Sequence, residues 1–142
     1  MGFRLNVSGP DQIVLNEKQI TRMEYRTETP HDSDARSTDV GCTLTIEGKI
    51  IPSVNAEEAE SAINLGKWAA VPAERPDSYR NLVLKTISAG QIVRQLTLPN
   101  AFVIDYDEDF GDTTGVGTFK LIVRQKKDKT PDVRIEGGFA GE

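Results

Sequence analysis

Cysteine is almost missing from this 142-residue chain. Cys42 stands alone, so no internal disulfide can form and no cysteine-based zinc site can be built. Histidine is as scarce: His31 is the only one, which further weakens a zinc or copper reading. Aromatic residues amount to five Phe, three Tyr and one Trp, mostly at positions expected to point inward, so a stacking platform for a ligand is not expected. Positive charge is in deficit, with 17 Lys and Arg against 22 Asp and Glu and a net charge of -5. An acidic surface attracts neither nucleic acid nor an anionic membrane, so no membrane partner and no sequence-specific nucleic acid partner is expected. No fully apolar run is longer than WAAV, residues 68–71, far short of the roughly 20 residues of a membrane-spanning helix. The opening MGFRLNVSGP lacks a signal peptide's apolar core, and Asn6 stands where a myristoylation motif wants Ser or Thr. Synthesis in the cytoplasm without a signal peptide is the expectation. Internal repeats and low-complexity linkers are missing too, and the length predicts one domain over 1–142. A chain of this size can bury roughly 68–70% of its unfolded surface and needs no covalent staple.

What is present is mostly strand. In VGCTLTIEGKI, Val40, Cys42, Leu44, Ile46 and Ile50 alternate with polar or small residues, the period of a half-buried strand. Cys42 falls on the apolar face, which predicts a buried, inert thiol. TFKLIVRQ repeats the pattern, with Phe119, Leu121 and Val123 opposed by Lys120 and Arg124. RNLVLKTIS and GQIVRQLTLP flank the turn residues Ser88–Gly90 and read as a hairpin. AFVIDY follows at once, with Phe102, Ile104 and Tyr106 on one side, and Pro99-Asn100 marks a bend or bulge between two strand pieces. FRLNV, QIVLN and TRMEYRTE are weaker strand candidates.

One segment breaks the pattern. NAEEAESAINLGKWAA carries the marks of a helix: Asn55 as N-cap, Glu58 where a capping-box acid belongs, Glu57, Glu58 and Glu60 near the first turn, Lys67 in the last, and Pro72 beyond. Helical spacing assigns Ala59, Ala62, Ile63 and Gly66 to the buried face, with Leu65, Trp68 and Ala69 beside them and Glu60 exposed. Trp68 is read as a packing anchor. The fold expected is mainly β: a small antiparallel barrel or sandwich with one helix packed on its outside and a long extended loop.

Two stretches invite chemistry. DYDEDFGDTTGVG puts Asp105, Asp107, Glu108, Asp109 and Asp112 before a run of glycines. Read as a calcium loop from Asp105, it places Phe110 where glycine is needed and Val116 where the bidentate glutamate is needed. Read as a phosphate loop, it lacks the Lys-Ser or Lys-Thr and the following helix. A solvated hairpin turn is the reading that remains, and no metal or cofactor is expected. In PHDSDARSTD, His31, Asp32, Ser33 and Asp34 are adjacent in sequence, which is not triad geometry, and no nucleophile elbow accompanies them. An enzyme is not expected. The same loop, 27–39, is long, polar and short of apolar residues, the composition of an arm that contacts a neighbour.

The order of elements then carries a resemblance. Early strands, a polar arm, the strand VGCTLTIEGKI, the capped helix, a hairpin, then NAFVIDYDEDF, a glycine turn and GTFKLIVRQ resemble the tube-protein superfamily. This comprises the hemolysin-coregulated protein of type VI secretion and the tail-tube proteins of contractile phages and phage-like injection particles. The resemblance implies a structural subunit that forms hexameric rings, which stack head to tail into the hollow inner tube of such a machine, with sheath and baseplate proteins as partners. It implies that the chain ends up in an assembled or secreted particle. It also implies that the arm, with Thr29, His31, Asp32, Asp34, Arg36 and Asp39, reaches a neighbouring subunit. Residues 130–142 have no place in that pattern. The competing reading is a small β-sandwich module that binds a ligand or protein without catalysis.

Overall fold

Period-two patterning becomes strand pairing throughout the computed structural model, which describes residues 1–29, 40–52, 55–72, 74–113 and 115–140. The strands are β1 (Gly2–Ser8), β2 (Ile13–Leu15), β3 (Ile20–Glu28), β4 (Gly41–Ile50), β5 (Arg80–Ser88), β6 (Gln91–Phe110), β7 (Gly117–Gln125), β8 (Arg134–Glu136) and β9 (Phe139–Ala140). They hydrogen-bond in the order β2-β1-β5-β6-β7-β4-β3, with β8 and β9 added along β6. Every pairing is antiparallel. The sheet curls without closing: no ladder joins β2 to β3 among the described residues.

The core lies inside that curl. Leu5 and Val7, Leu44 and Ile46, Leu82 and Leu84, Leu121 and Val123 are all buried, one alternating pair from each of four strands. Cys42 is buried as expected, and the Tyr25 hydroxyl donates to its Sγ at 3.2 Å. Gly48 exists for lack of room. A Cβ there would strike the Gln19 carbonyl and the Phe119 ring, and the same Gln19 carbonyl accepts from Lys49 N–H at 2.7 Å. The β5–β6 hairpin turns on Ala89 and Gly90, both at positive φ (51° and 75°), the backbone of the tight hairpin turn that follows strand twist.

β6 is the long element, at 20 residues. Its ladder with β5 gains one residue across Pro99-Asn100, between the pairs Arg80–Ala101 and Leu82–Leu98. The expected bulge is there, inside one continuous strand. Buried Gln125 services it: its Oε1 accepts from Asn100 N–H at 3.3 Å and its Nε2 donates to the Lys129 carbonyl at 3.3 Å. A second bulge at Ile104 shifts the register with β7. It overturns the expectation that Phe102, Ile104 and Tyr106 share a side. Val103 and Tyr106 both pack on the core, while Ile104 is 43% exposed. β6 also runs on to Phe110, so the acids from Asp105 to Asp109 are strand residues and only Asp112 lies in the turn beyond.

The helix α1 (Ala56–Ala69) begins as the sequence predicts, with Asn55 Oδ1 accepting from the N–H groups of Glu57 (2.9 Å) and Glu58 (3.3 Å). The predicted buried face is corrected. Ser61, Asn64, Leu65 and Trp68 face inward; Ala59 is exposed, Ala62 and Gly66 are half-buried, and Ile63 is 59% exposed. The reason is polar. Ser61 Oγ accepts from Val14 N–H at 3.1 Å and Asn64 Nδ2 donates to the Gln12 carbonyl at 3.2 Å, so the helix satisfies β2 and the turn before it. Trp68 is the anchor foreseen. It is 1% exposed, its Nε1 donates to the Ser78 carbonyl at 2.9 Å, and the Arg80 guanidinium lies 5.5 Å from its ring centroid. Arg80 itself gave no signal in sequence. It is buried, its Nε donates to the Asp77 carbonyl at 3.0 Å, and burial lowers its pKa against the opposing pull of Asp11 and Asp77.

Candidate assembly surface

The register places four strands, β3-β4-β7-β6, in a belt with one face on the core and the other on solvent. Reading across the solvent face gives rows. One row is Arg22, Glu47, Lys120, Asp107; the next is Glu24, Thr45, Ile122, Asp105; a third is Arg26, Thr43, Arg124, Phe102. The first row alternates in sign. Its tightest contact is Arg22 Nη1 to Glu47 Oε2 at 2.8 Å, and Arg22 also reaches Glu24 at 3.5 Å. These side chains are largely exposed, so each pair contributes little to stability. Their value is in marking a hydrated, charge-patterned face.

The belt has two open edges. β3 pairs only with β4, and β6 from 102 to 110 pairs only with β7, among the described residues. The β6 edge runs beside α1, leaving a groove of about 370 Å³ lined by Gly66, Ala69, Ala70, Val103 and Tyr106. On this side Tyr106 donates its hydroxyl to Glu108 Oε1 at 2.6 Å. Burial, then the Glu108 carboxylate, push the phenol pKa up, so it stays a donor.

The two ends of the belt differ. At one end Glu28 and Gly41 are paired, on either side of the segment 30–39. Its base is fastened: Thr43 Oγ1 donates to Glu28 Oε1 at 3.3 Å, Arg124 Nε donates to Thr43 Oγ1 at 3.3 Å, and Thr130 Oγ1 donates to the Val40 carbonyl at 3.3 Å. The opposite end holds Phe110, paired with Gly117, and the turn that carries Asp112. Thr27 and Glu28, read from sequence as the start of the arm, belong to β3. Of the predicted arm contacts, Thr29 is described and half-buried; His31, Asp32, Asp34, Arg36 and Asp39 lie outside the described residues. The carboxy-terminal stretch gains a place. β8 and β9 add to the first half of β6, and a short 3-10 helix (Lys127–Asp132) leads into them.

Among the described residues no three of His, Cys, Asp and Glu are grouped to hold a metal ion, and no helix is long and apolar enough to cross a membrane. What the sequence could not show was the pair of open edges, because an edge is defined by strands that do not pair.

No protein-family model and no curated protein matches the sequence. Solved structures do. The chain is similar to Hcp1 from Flavobacterium johnsoniae over 100% of both chains, at 17% identity and a TM-score of 0.60. It is similar to a chain of the anti-feeding prophage baseplate, solved with 6-fold symmetry, over 96% of this chain and 93% of that one, at 16% identity and TM-score 0.56. It is also similar to a chain of the sheath-tube complex of an extracellular contractile injection system, over 96% and 89%, at 12% identity and TM-score 0.52. The fold is therefore the one found in Hcp1 and in contractile injection particles, across the whole chain.

Proposed function

We propose that this protein is a structural subunit, not an enzyme, of the inner tube of a contractile injection machine or phage-like tail. Copies form hexameric rings that stack head to tail, inside a sheath and on a baseplate. The observation that carries the reading is whole-length likeness to Hcp1 and to chains of assembled injection particles, one of them with sixfold symmetry. The two open edges of the belt support it, because unpaired edges invite pairing with another copy and a ring removes them. The polar arm, entered at Thr29 and left at Val40, is the proposed ring-to-ring contact through His31, Asp32, Asp34, Arg36 and Asp39. Its base sits at one end of the belt and the turn that carries Asp112 at the other, an arrangement suited to head-to-tail stacking. Six copies of a four-strand belt would enclose a circumference of roughly 115 Å at about 4.8 Å per strand, wide enough for an open lumen.

Negative-stain electron microscopy of the purified protein tests this. Rings with a central hole, or tubes built from them, are expected; uniformly monomeric particles at high concentration contradict it. Replacing residues 30–38 by a short Gly-Ser linker is expected to leave the circular dichroism of the β fold intact and to abolish stacking. Long tubes from that variant would remove the arm from the account.

A further inference from the structure

The carboxy-terminal stretch, which the sequence pattern leaves without a role, is rooted firmly and then held lightly. At its root Val133 packs against the core, its N–H donates to the Thr130 carbonyl at 3.1 Å, and Thr130 Oγ1 is tied to the Val40 carbonyl. Beyond the root, β8 and β9 lie along β6 as strands of 3 and 2 residues. From Arg134 to Phe139 every residue is exposed, and no side chain there makes an ion pair among the described residues. The hold on this strap is main-chain hydrogen bonding, as from Gly138 N–H to the Ile92 carbonyl at 2.9 Å. A segment with so few buried apolar contacts opens locally, at a free energy below that of global unfolding.

What the strap covers has the opposite character. Residues 91–98, QIVRQLTL, hold Ile92, Val93, Leu96 and Leu98, a single charge at Arg94, and neither proline nor glycine. That is the composition of a segment that adds readily to a like strand. β5 covers one of its edges and the strap covers the other. Left bare, that second edge would be a long apolar one, of the kind that recruits another chain. The strap replaces it with an edge that is hard to extend. Its outer side is two short strands, carries Arg134 and Glu136, and breaks at Gly137-Gly138. A Cβ on Gly137 would strike the Val93 carbonyl, and Gly138 sits at φ 77°. The two glycines keep the chain pressed on β6 while the ladder lapses at Val93 and Arg94. Shortness, charge and a break are the devices that keep an edge strand from pairing. We infer that residues 134–140 are an opening strap that blocks association of this chain with a second copy through residues 91–98. The inference goes beyond the ring reading and does not need it, because it concerns an edge that is closed in the free subunit.

Removing the strap and locking it test this from two sides. A chain ending at Val133 keeps the root and loses the strap. It is expected to retain the circular dichroism of the β fold. At a concentration where the full-length protein is a monomer, it is expected to sediment as species about tenfold or more heavier. Val93→Lys in the shortened chain puts a charge on the bare strand and is expected to return it to monomer. Mere loss of stability would not be rescued in this way. For the lock, Gln95 and Glu136 are directly opposed, at the roughly 4.5–5.5 Å between Cα atoms that a disulfide accepts. In the full-length protein the amides of 134–140 are expected to exchange about a hundredfold or more faster than those of 82–86. Gln95→Cys with Glu136→Cys, native Cys42 being buried, is expected on oxidation to slow the strap about tenfold or more. A shortened chain that stays monomeric, that associates regardless of Val93→Lys, or that fails to fold overturns the inference. So does an unlocked strap that exchanges as slowly as β5. A full-length protein that forms no rings would overturn the ring reading and leave this inference standing.

Discussion

The two halves of β6 share one backbone and have opposite surroundings. From Gln91 to Leu98 the strand has β5 on one side and β8 and β9 on the other, and Leu96, Thr97 and Leu98 are buried. From Phe102 to Phe110 it has β7 on one side only, its side chains are mostly exposed, and four of the nine positions are acidic. The first half is held by apolar burial; the second is kept soluble by charge while its edge stays open. The lesson is that a single strand can complete the core of its own copy and remain available to another. The change happens at Pro99-Asn100, where proline has no N–H to offer and Gln125 Oε1 accepts from the Asn100 N–H.

That contrast can be broken at its strongest point first. Leu98→Ala removes a fully buried side chain from the first half, at an expected cost of about 2–5 kcal/mol. Asp107→Asn in the second half should change the stability of the free subunit by less than about 0.5 kcal/mol. Urea denaturation of both checks this, and equal effects would erase the distinction. Next comes the hand-over point. Gln125→Leu keeps the volume but strands Asn100 N–H and the Lys129 carbonyl, with an expected loss of about 1–3 kcal/mol. A neutral result would mean that the bulge does not depend on that amide.

The hairpin entering β6 offers a smaller test. Ala89 sits at positive φ, which an L-residue other than Asn, Asp or Gly adopts at a cost. Ala89→Asn should raise stability by about 0.5–1 kcal/mol, visible as a higher melting temperature. The smallest effect is a null. Millimolar calcium should not move the melting temperature, although ligand at 100 times its dissociation constant would add about 2.7 kcal/mol. A clear rise that Asp107→Ala abolishes would establish a metal site in the second half.

Period and caps made most of this fold legible in advance. Cys42, Leu44 and Ile46 in β4, Phe119, Leu121 and Val123 in β7, the Asn55 cap and the Pro99 bulge all stand where alternation and local chemistry put them. The helix face did not, because hydrophobicity ranks Ile63 above Ser61 and Asn64, whereas the open backbone of β2 and its turn needed polar partners. The side of Ile104 was misread because a bulge resets period two and leaves no mark in composition. The assembly surface was the least legible part. Its acids were visible, but their place on a strand edge depends on where β5 stops pairing, at Arg80–Ala101, which nothing in the pattern of 102–110 records.

Hydrogen–deuterium exchange of the free subunit and of assembled rings, read peptide by peptide along β3 and β6, tests the central claim most directly. The account predicts slow exchange from 91 to 98 in both states, and new protection on assembly confined to 20–28 and 102–110. Protection that appears instead along 134–140, or no change at either belt edge in protein that forms rings, would contradict it.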